Sequence, residues 1–155
     1  MYIILPIILV ILDQATKYYA IAHFKGQEMV EVIPNWLYFT YLENRGAAFG
    51  FLNTKPWVFT ILASVFVIAM VIILLQNRNN INSFYKLSLA IIIAGALGNL
   101  IDRLTHGFVV DFIFSPLNGL YNFPVFNLAD MYLTVTAIVI AIYVIFFDGD
   151  TDVNK

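Results

Sequence analysis

The stretch SFYKLSLAIIIAGALGNLIDR, residues 83–103, decides how the rest of the chain is read. From Ser83 to Ile101 it is apolar apart from Lys86 near its start and Asn99 near its end. About 20 residues rising 1.5 Å each cross a hydrocarbon layer of about 30 Å, so the run predicts a transmembrane helix. It closes on Asp102 and Arg103. Burying a charge beside hydrocarbon costs roughly 2.5–3.5 kcal/mol even on lenient insertion scales, so such residues are usually paired, functional or both. Ala94, Gly95, Ala96 and Gly98 put small residues at helical spacing, which lets helices approach closely. Taken alone, that spacing is packing, and Asn99, Asp102 and Arg103 read as an ion-pair network closing a bundle.

Three further runs have spanning length. Tyr2–Ala22 is interrupted by Asp13, Gln14 and Lys17, whereas Trp57–Leu75 and Met131–Phe147 carry no charge. The chain therefore reads as one polytopic membrane domain, residues 1–155, with helices at about 2–22, 57–75, 83–102 and 131–147. Loops 23–56 and 105–129 connect them. The first run could instead be a secretory signal peptide, with Ala20-Ile21-Ala22 as a cleavage site. No Lys or Arg precedes it, however, and Asp13 and Lys17 interrupt it, so a retained helix is expected.

Composition supports this class. The chain is 61% hydrophobic, 16% aromatic and 12% charged, more apolar than a soluble core of this size needs. A net charge of -2 without a basic stripe gives no reason to expect nucleic acid as a partner. The absence of cysteine removes disulfides, thiol nucleophiles and Cys-ligated metals. His23 and His106 are isolated, so no zinc site is expected.

With four spans, the first and third loops must lie on the same side. Asp13, Gln14 and Lys17 sit in the half of the first helix nearer that side. Asn99, Asp102 and Arg103 end the third helix there, and Asp130 begins the fourth. The unusual polar residues thus converge on one end of the bundle. Charge does not settle which side this is: Arg78, Lys86 and Lys155 flank one face, and Lys25, Arg45, Lys55 and Arg103 flank the other.

Several residues carry both a structural and a chemical reading. Asp13 and Lys17, spaced i, i+4, can meet as an ion pair that braces the region. Asp102 can pair with Lys17 or Arg103. Gln27–Tyr41, rich in β-branched and aromatic residues around Pro34-Asn35, reads as a hairpin or as a packed loop cap. Asn44–Gly50 reads as a polar turn in which Gly46 permits unusual backbone geometry. Asp130 could simply cap a helix. Asp111, within Val109-Val110-Asp111-Phe112-Ile113, has no such explanation. Two carboxylates close together in a low dielectric share a proton, and their pKa values separate. One can then deprotonate water while the other protonates a carbonyl oxygen or leaving amine.

Five segments in order resemble lipoprotein signal peptidase, also called signal peptidase II. They are Asp13-Gln14-x-x-Lys17, Asn44-x-Gly46-Ala47-Ala48-Phe49, Gly95-Ala96-Leu97-Gly98-Asn99-x-x-Asp102-Arg103, Val109-Val110-Asp111-Phe112 and Phe126-Asn127-x-Ala129-Asp130. The resemblance covers essentially the whole chain, although Met131 stands where a smaller residue is expected. It implies an all-α membrane protein, four transmembrane helices with a small extracytoplasmic β-sheet cradle. It implies a bacterial inner-membrane aspartyl endopeptidase with both termini cytoplasmic and its site toward the outer face. The substrate implied is a diacylglyceryl-modified prolipoprotein, cut before the lipid-modified lipobox cysteine. Membrane lipid and globomycin-type inhibitors are the other implied partners, and no cofactor is implied. Asp111 and Asp130 match the catalytic pair. Asn44, Asn99, Arg103 and Asn127 match residues that support the pair or position substrate. Asp13, Lys17, Gly46, Gly95, Asp102 and Ala129 match the surrounding scaffold and site support. A small transporter or proton-relay subunit using Asp13, Lys17 and Asp102 is the alternative, but relay residues should occupy several depths of the membrane.

Overall fold

The computed structural model describes residues 2, 4–46 and 56–147. The expectations for Ala47, Ala48 and Phe49 fall outside those residues, as does the C-terminal tail from Asp148. Chain order is α1 (Ile4–Phe24), β1 (Val30–Ile33), β2 (Leu37–Asn44), α2 (Pro56–Asn77), α3 (Ser83–His106), β3 (Val109–Ser115), β4 (Phe123–Phe126) and α4 (Leu128–Phe146). All four helices are long and apolar enough to cross a membrane. With the four-stranded antiparallel sheet, ordered β1-β2-β3-β4, they make a helical membrane protein carrying a small sheet.

α3 is the axis of the bundle. Half of its span is buried inside the protein, against 17% for α1, 6% for α2 and 11% for α4. The outer helices instead expose apolar side chains such as Ile7, Ile61, Val65 and Ile138, which a bilayer would solvate. The buried residues of α3 are mostly small, including Ala90, Ala94, Gly95, Ala96 and Gly98. A Cβ on Gly95 would lie 2.7 Å from the Ala129 carbonyl oxygen, and one on Gly98 would strike the Asp13 carboxylate. These glycines therefore let α1 and the first turn of α4 press against α3.

Two helix boundaries differ from the sequence reading by three residues or more. α3 continues a full turn beyond Asp102, because nothing stops it before Gly107, whose φ of 79° supplies the left-handed C-cap. Asp102 and Arg103 consequently lie inside the helix. α4 starts three residues before Met131, because Asn127 is its N-cap.

Gln27–Tyr41 contains the β1–β2 hairpin. Its turn closes with Trp36 N–H donating to Ile33 O at 3.0 Å. Pro34 pre-sets the first turn residue, and Asn35 takes the positive φ of 62° at the second. β2 then runs on to Asn44, so Asn44 ends a strand instead of opening a loop. It pairs with β3 through Leu42↔Asp111, Glu43↔Val110 and Asn44↔Val109. That pairing brings the first and third loops together at one end of the bundle. β3 is buried from Val109 to Ile113. Val110, Phe112 and Ile113 pack with Ala20 of α1, which seats the sheet on the end of that helix.

Candidate active site

Asp111 and Asp130 reach the same place from different elements. Strand β3 carries Asp111, which is 1% exposed. Asp130 is the third residue of α4 and closes a capping box: its N–H donates to Asn127 Oδ1 at 3.0 Å, and Asn127 N–H donates to Asp130 Oδ2 at 3.2 Å. The cap is thus Asn127, not Asp130, which leaves the other Asp130 oxygen free to face α3. There Asn99 Nδ2 donates to Asp130 Oδ1 at 2.8 Å.

Asn127 joins the two acids. Its Nδ2 donates to Asp111 Oδ1 at 2.6 Å, while its backbone and Oδ1 hold Asp130. The second Asp111 oxygen accepts from Asn44 Nδ2 at 2.8 Å. Asn44 is itself fixed, since its Oδ1 accepts the Gly46 N–H at 2.9 Å. Gly46 has φ of 89°, and a Cβ there would collide with the Phe59 ring, so this turn requires glycine. Asn44, Asn99 and Asn127 therefore supply N–H donors to both carboxylates. Burial pushes the Asp111 carboxyl up to about 6. The Asn44 donor opposes that rise, the charge of Asp130 adds to it, and the Asn127 donor and Lys17 charge oppose it.

Behind the pair lies a second, fully enclosed charge group. Lys17 Nζ lies 2.9 Å from Asp13 Oδ2 and 3.1 Å from Asp102 Oδ2, and it donates to Asn99 Oδ1 at 2.9 Å. Three acceptors match the three N–H bonds of an ammonium. The remaining carboxylate lone pairs are occupied too: Ala129 N–H donates to Asp13 Oδ1 at 2.9 Å and Val110 N–H to Asp102 Oδ2 at 3.0 Å. Gln14 Nε2 donates to Asp102 Oδ1 at 3.0 Å. The i, i+4 spacing thus closes the Asp13–Lys17 pair, and Asp102 takes Lys17 as its partner.

Arg103 points elsewhere. Its Nη1 donates to the Asn99 carbonyl at 3.2 Å, and it lines a cavity of about 470 Å³ with Asp130, Asn99, Phe59, Phe66 and Leu133. The cavity lies among α2, α3 and α4, with Asp130 in its wall. Arg45 pairs instead with the half-buried Glu43 at 3.1 Å.

The structure thus gathers Asp111, Asp130, Asn44, Asn99 and Asn127 into one network, with Gly46 holding Asn44 in place. Asp13, Lys17 and Asp102 stand directly behind it, and Gly95 and Ala129 form the close α3–α4 contact. Arg103 borders the adjoining cavity. Sequence reasoning grouped Gln14 with Asp13 and Lys17 but missed its hydrogen bond to Asp102. Its position beside Asp13 in a span was the available signal. The backbone amides of Val110 and Ala129 were also missed, and no side chain announces them.

Fold and site together define a multi-pass membrane protein with a linked carboxylate pair at one end of its helical bundle. A family model described as signal peptidase (SPase) II matches residues 5–146. Lipoprotein signal peptidase of Clostridium tetani is 41% identical over 152 residues, covering 98% of this chain and 97% of its own. The Streptococcus agalactiae protein of that name is 42% identical over 139 residues, covering 90% of this chain and 88% of its own. A solved bacterial membrane enzyme superposes with a TM-score of 0.83 at 38% identity, covering 99% of this chain and 92% of that one. The chain belongs to the signal peptidase II family, a family of membrane peptidases.

Proposed function

We propose that this chain is an aspartyl endopeptidase that removes the signal peptide from diacylglyceryl-modified prolipoproteins, cutting before the lipid-modified cysteine. One observation carries the reading: a single asparagine, Asn127, hydrogen-bonds both Asp111 and Asp130. The name shared by the curated relatives supports the substrate class.

Asp111 and Asp130 are the catalytic residues. In the singly protonated pair that starts the reaction, Asp111, raised to about 6 by burial, carries the shared proton, and Asp130 is the base. Asp130 takes a proton from water as the water oxygen bonds to the scissile carbonyl carbon, and Asp111 gives its proton to the carbonyl oxygen. The resulting diol collapses as the C–N bond breaks. The leaving nitrogen takes the proton held by Asp130, and the diol returns one to Asp111. Both carboxyls end as they began, so no cofactor is consumed. Asn44, Asn99 and Asn127 orient the carboxylates throughout. Arg103, at the cavity wall, donates to a substrate carbonyl or a lipid headgroup.

The cavity among α2, α3 and α4 receives the signal peptide from the bilayer. The diacylglyceryl group fixes the scissile bond at interface depth, with acyl chains contributing about 0.8 kcal/mol per buried CH₂ to membrane partitioning. The protein resides in the bacterial inner membrane with both termini cytoplasmic and the sheet end outward, and globomycin-type cyclic peptides block its site.

The test incubates purified protein in detergent with diacylglyceryl-modified and unmodified prolipoprotein, with and without globomycin. Fast, globomycin-sensitive cleavage of the modified form alone supports the reading. Equal rates on both forms would show that the lipid is not read.

A further inference from the structure

We propose that Asp13, Lys17 and Asp102 form a positioning clamp that sets how the two site carboxylates stand relative to each other. The proposal rests on the reading that Asp111 and Asp130 work as a pair. Its basis is a correspondence in the hydrogen bonds. Asp13 accepts the backbone N–H of Ala129, the residue immediately before Asp130. Asp102 accepts the backbone N–H of Val110, the residue immediately before Asp111. Each scaffold acid thus holds the chain one residue upstream of one site acid. Lys17 ties the two scaffold acids together, at 2.9 Å and 3.1 Å.

The third N–H of Lys17 extends the same control. It donates to Asn99 Oδ1, so Asn99 must turn its Nδ2 toward Asp130. The three clamp residues therefore act on the site through Ala129, Val110 and Asn99.

Neutralising one lysine needs one carboxylate, so the second acid calls for a reason of its own. All three side chains are at most 2% exposed, and an extra buried charge is destabilising unless it is well paired. The structure gives each acid a distinct backbone amide. Ala129 lies in the first turn of α4, where amides lack helical acceptors, and a carboxylate there satisfies one. Val110 lies on β3 beside Asp111. The clamp consequently joins α1, α3, β3 and α4 at the one level where both site carboxylates sit.

Asp13→Ala and Asp102→Ala test this, because each leaves Lys17 with one acid partner. Asp102→Glu keeps the charge while moving the carboxylate by one methylene, and serves where an alanine variant fails to fold. A misplacement of about 1 Å can lower a rate on the order of 10²-fold, so kcat on lipid-modified prolipoprotein should fall by about that factor. KM should stay within about 2-fold, since none of the three clamp residues lines the binding cavity. Asp102→Asn keeps a carbonyl for Val110 N–H and Lys17, and should restore most of kcat. The pH profile of the alanine and glutamate variants should also shift. Asp111 is faced by Asp130 from α4, Lys17 from α1 and Arg103 from α3, and its distances to these charges would change. A merely structural role would lower the melting temperature but leave kcat per folded molecule and the pH profile as in the parent, and that result overturns the clamp. Asp111→Asn and Asp130→Asn run alongside; activity retained in either refutes the paired-carboxylate reading itself.

Discussion

Replacing Asp111 by Asn should abolish cleavage and, above pH 6, make the protein more stable. The sign follows from burial. The carboxyl is raised from 3.8 to about 6, so the folded state holds its proton more tightly than the unfolded chain does. Stability from this group is fully present below pH 3.8 and is lost as pH rises through about 6. A shift of this size, at 1.36 kcal/mol per unit, makes the ionised form about 3 kcal/mol unfavourable at pH 8. Asparagine is neutral at every pH and escapes that term. It also loses something, because its own N–H₂ must face one of the donors from Asn44 or Asn127. Asn44 cannot turn to accommodate it, since its oxygen holds the Gly46 N–H. An unsatisfied donor costs about 1–2 kcal/mol. The variant should therefore match the parent near pH 5 and exceed it by about 1.5 kcal/mol at pH 8. For a chain of this length that is roughly 3–6 °C in melting temperature. Thermal unfolding in detergent at the two pH values measures it. A difference between variant and parent that does not change with pH would show that Asp111 is not held as a buried acid.

Three further outcomes follow from the same contacts. Asn44→Ala removes the donor that holds the Asp111 carboxyl down, so the alkaline fall in cleavage, where the pair loses its shared proton, should move to higher pH; an unmoved limb on a pH–rate profile contradicts it. Lys17→Met leaves Asp13 and Asp102 without a counter-charge and should destabilise by about 3–5 kcal/mol, more than Asp13→Ala, which leaves the Lys17–Asp102 pair intact; melting curves of the two variants check the order. Gly98→Ala pushes the Asp13 carboxylate away from the Ala129 amide and should mimic Asp13→Ala in its loss of turnover; parent-like turnover would mean that α1 yields without moving the site.

The helical frame was legible because a hydrocarbon layer demands long apolar runs, and these stand out in any chain. The carboxylates were legible for the converse reason: Asp13, Asp102, Asp111 and Asp130 are conspicuous beside such runs. What stayed hidden is what leaves no periodic mark. Val109–Ile113 is buried along its whole length, so β3 shows no alternation of apolar and polar residues to distinguish a strand from any other apolar segment. Asn127 and Asp130 are both good capping residues, and only the closed box shows that Asn127 caps while Asp130 lies a turn further in. Asn44 read as part of a turn because Gly46 follows it, although the β2–β3 ladder carries the strand up to Asn44 itself. The anchoring of Ala129 and Val110 runs through backbone amides, which every residue but proline possesses.

The central claim is that Asp111 and Asp130 perform the cleavage together. Its most direct test is single-turnover cleavage of a diacylglyceryl-modified prolipoprotein by Asp111→Asn, by Asp130→Asn and by the double variant, with each shown to be folded by its melting curve. Paired action predicts that either single change removes turnover as completely as both together. Substantial cleavage by either single variant would contradict it.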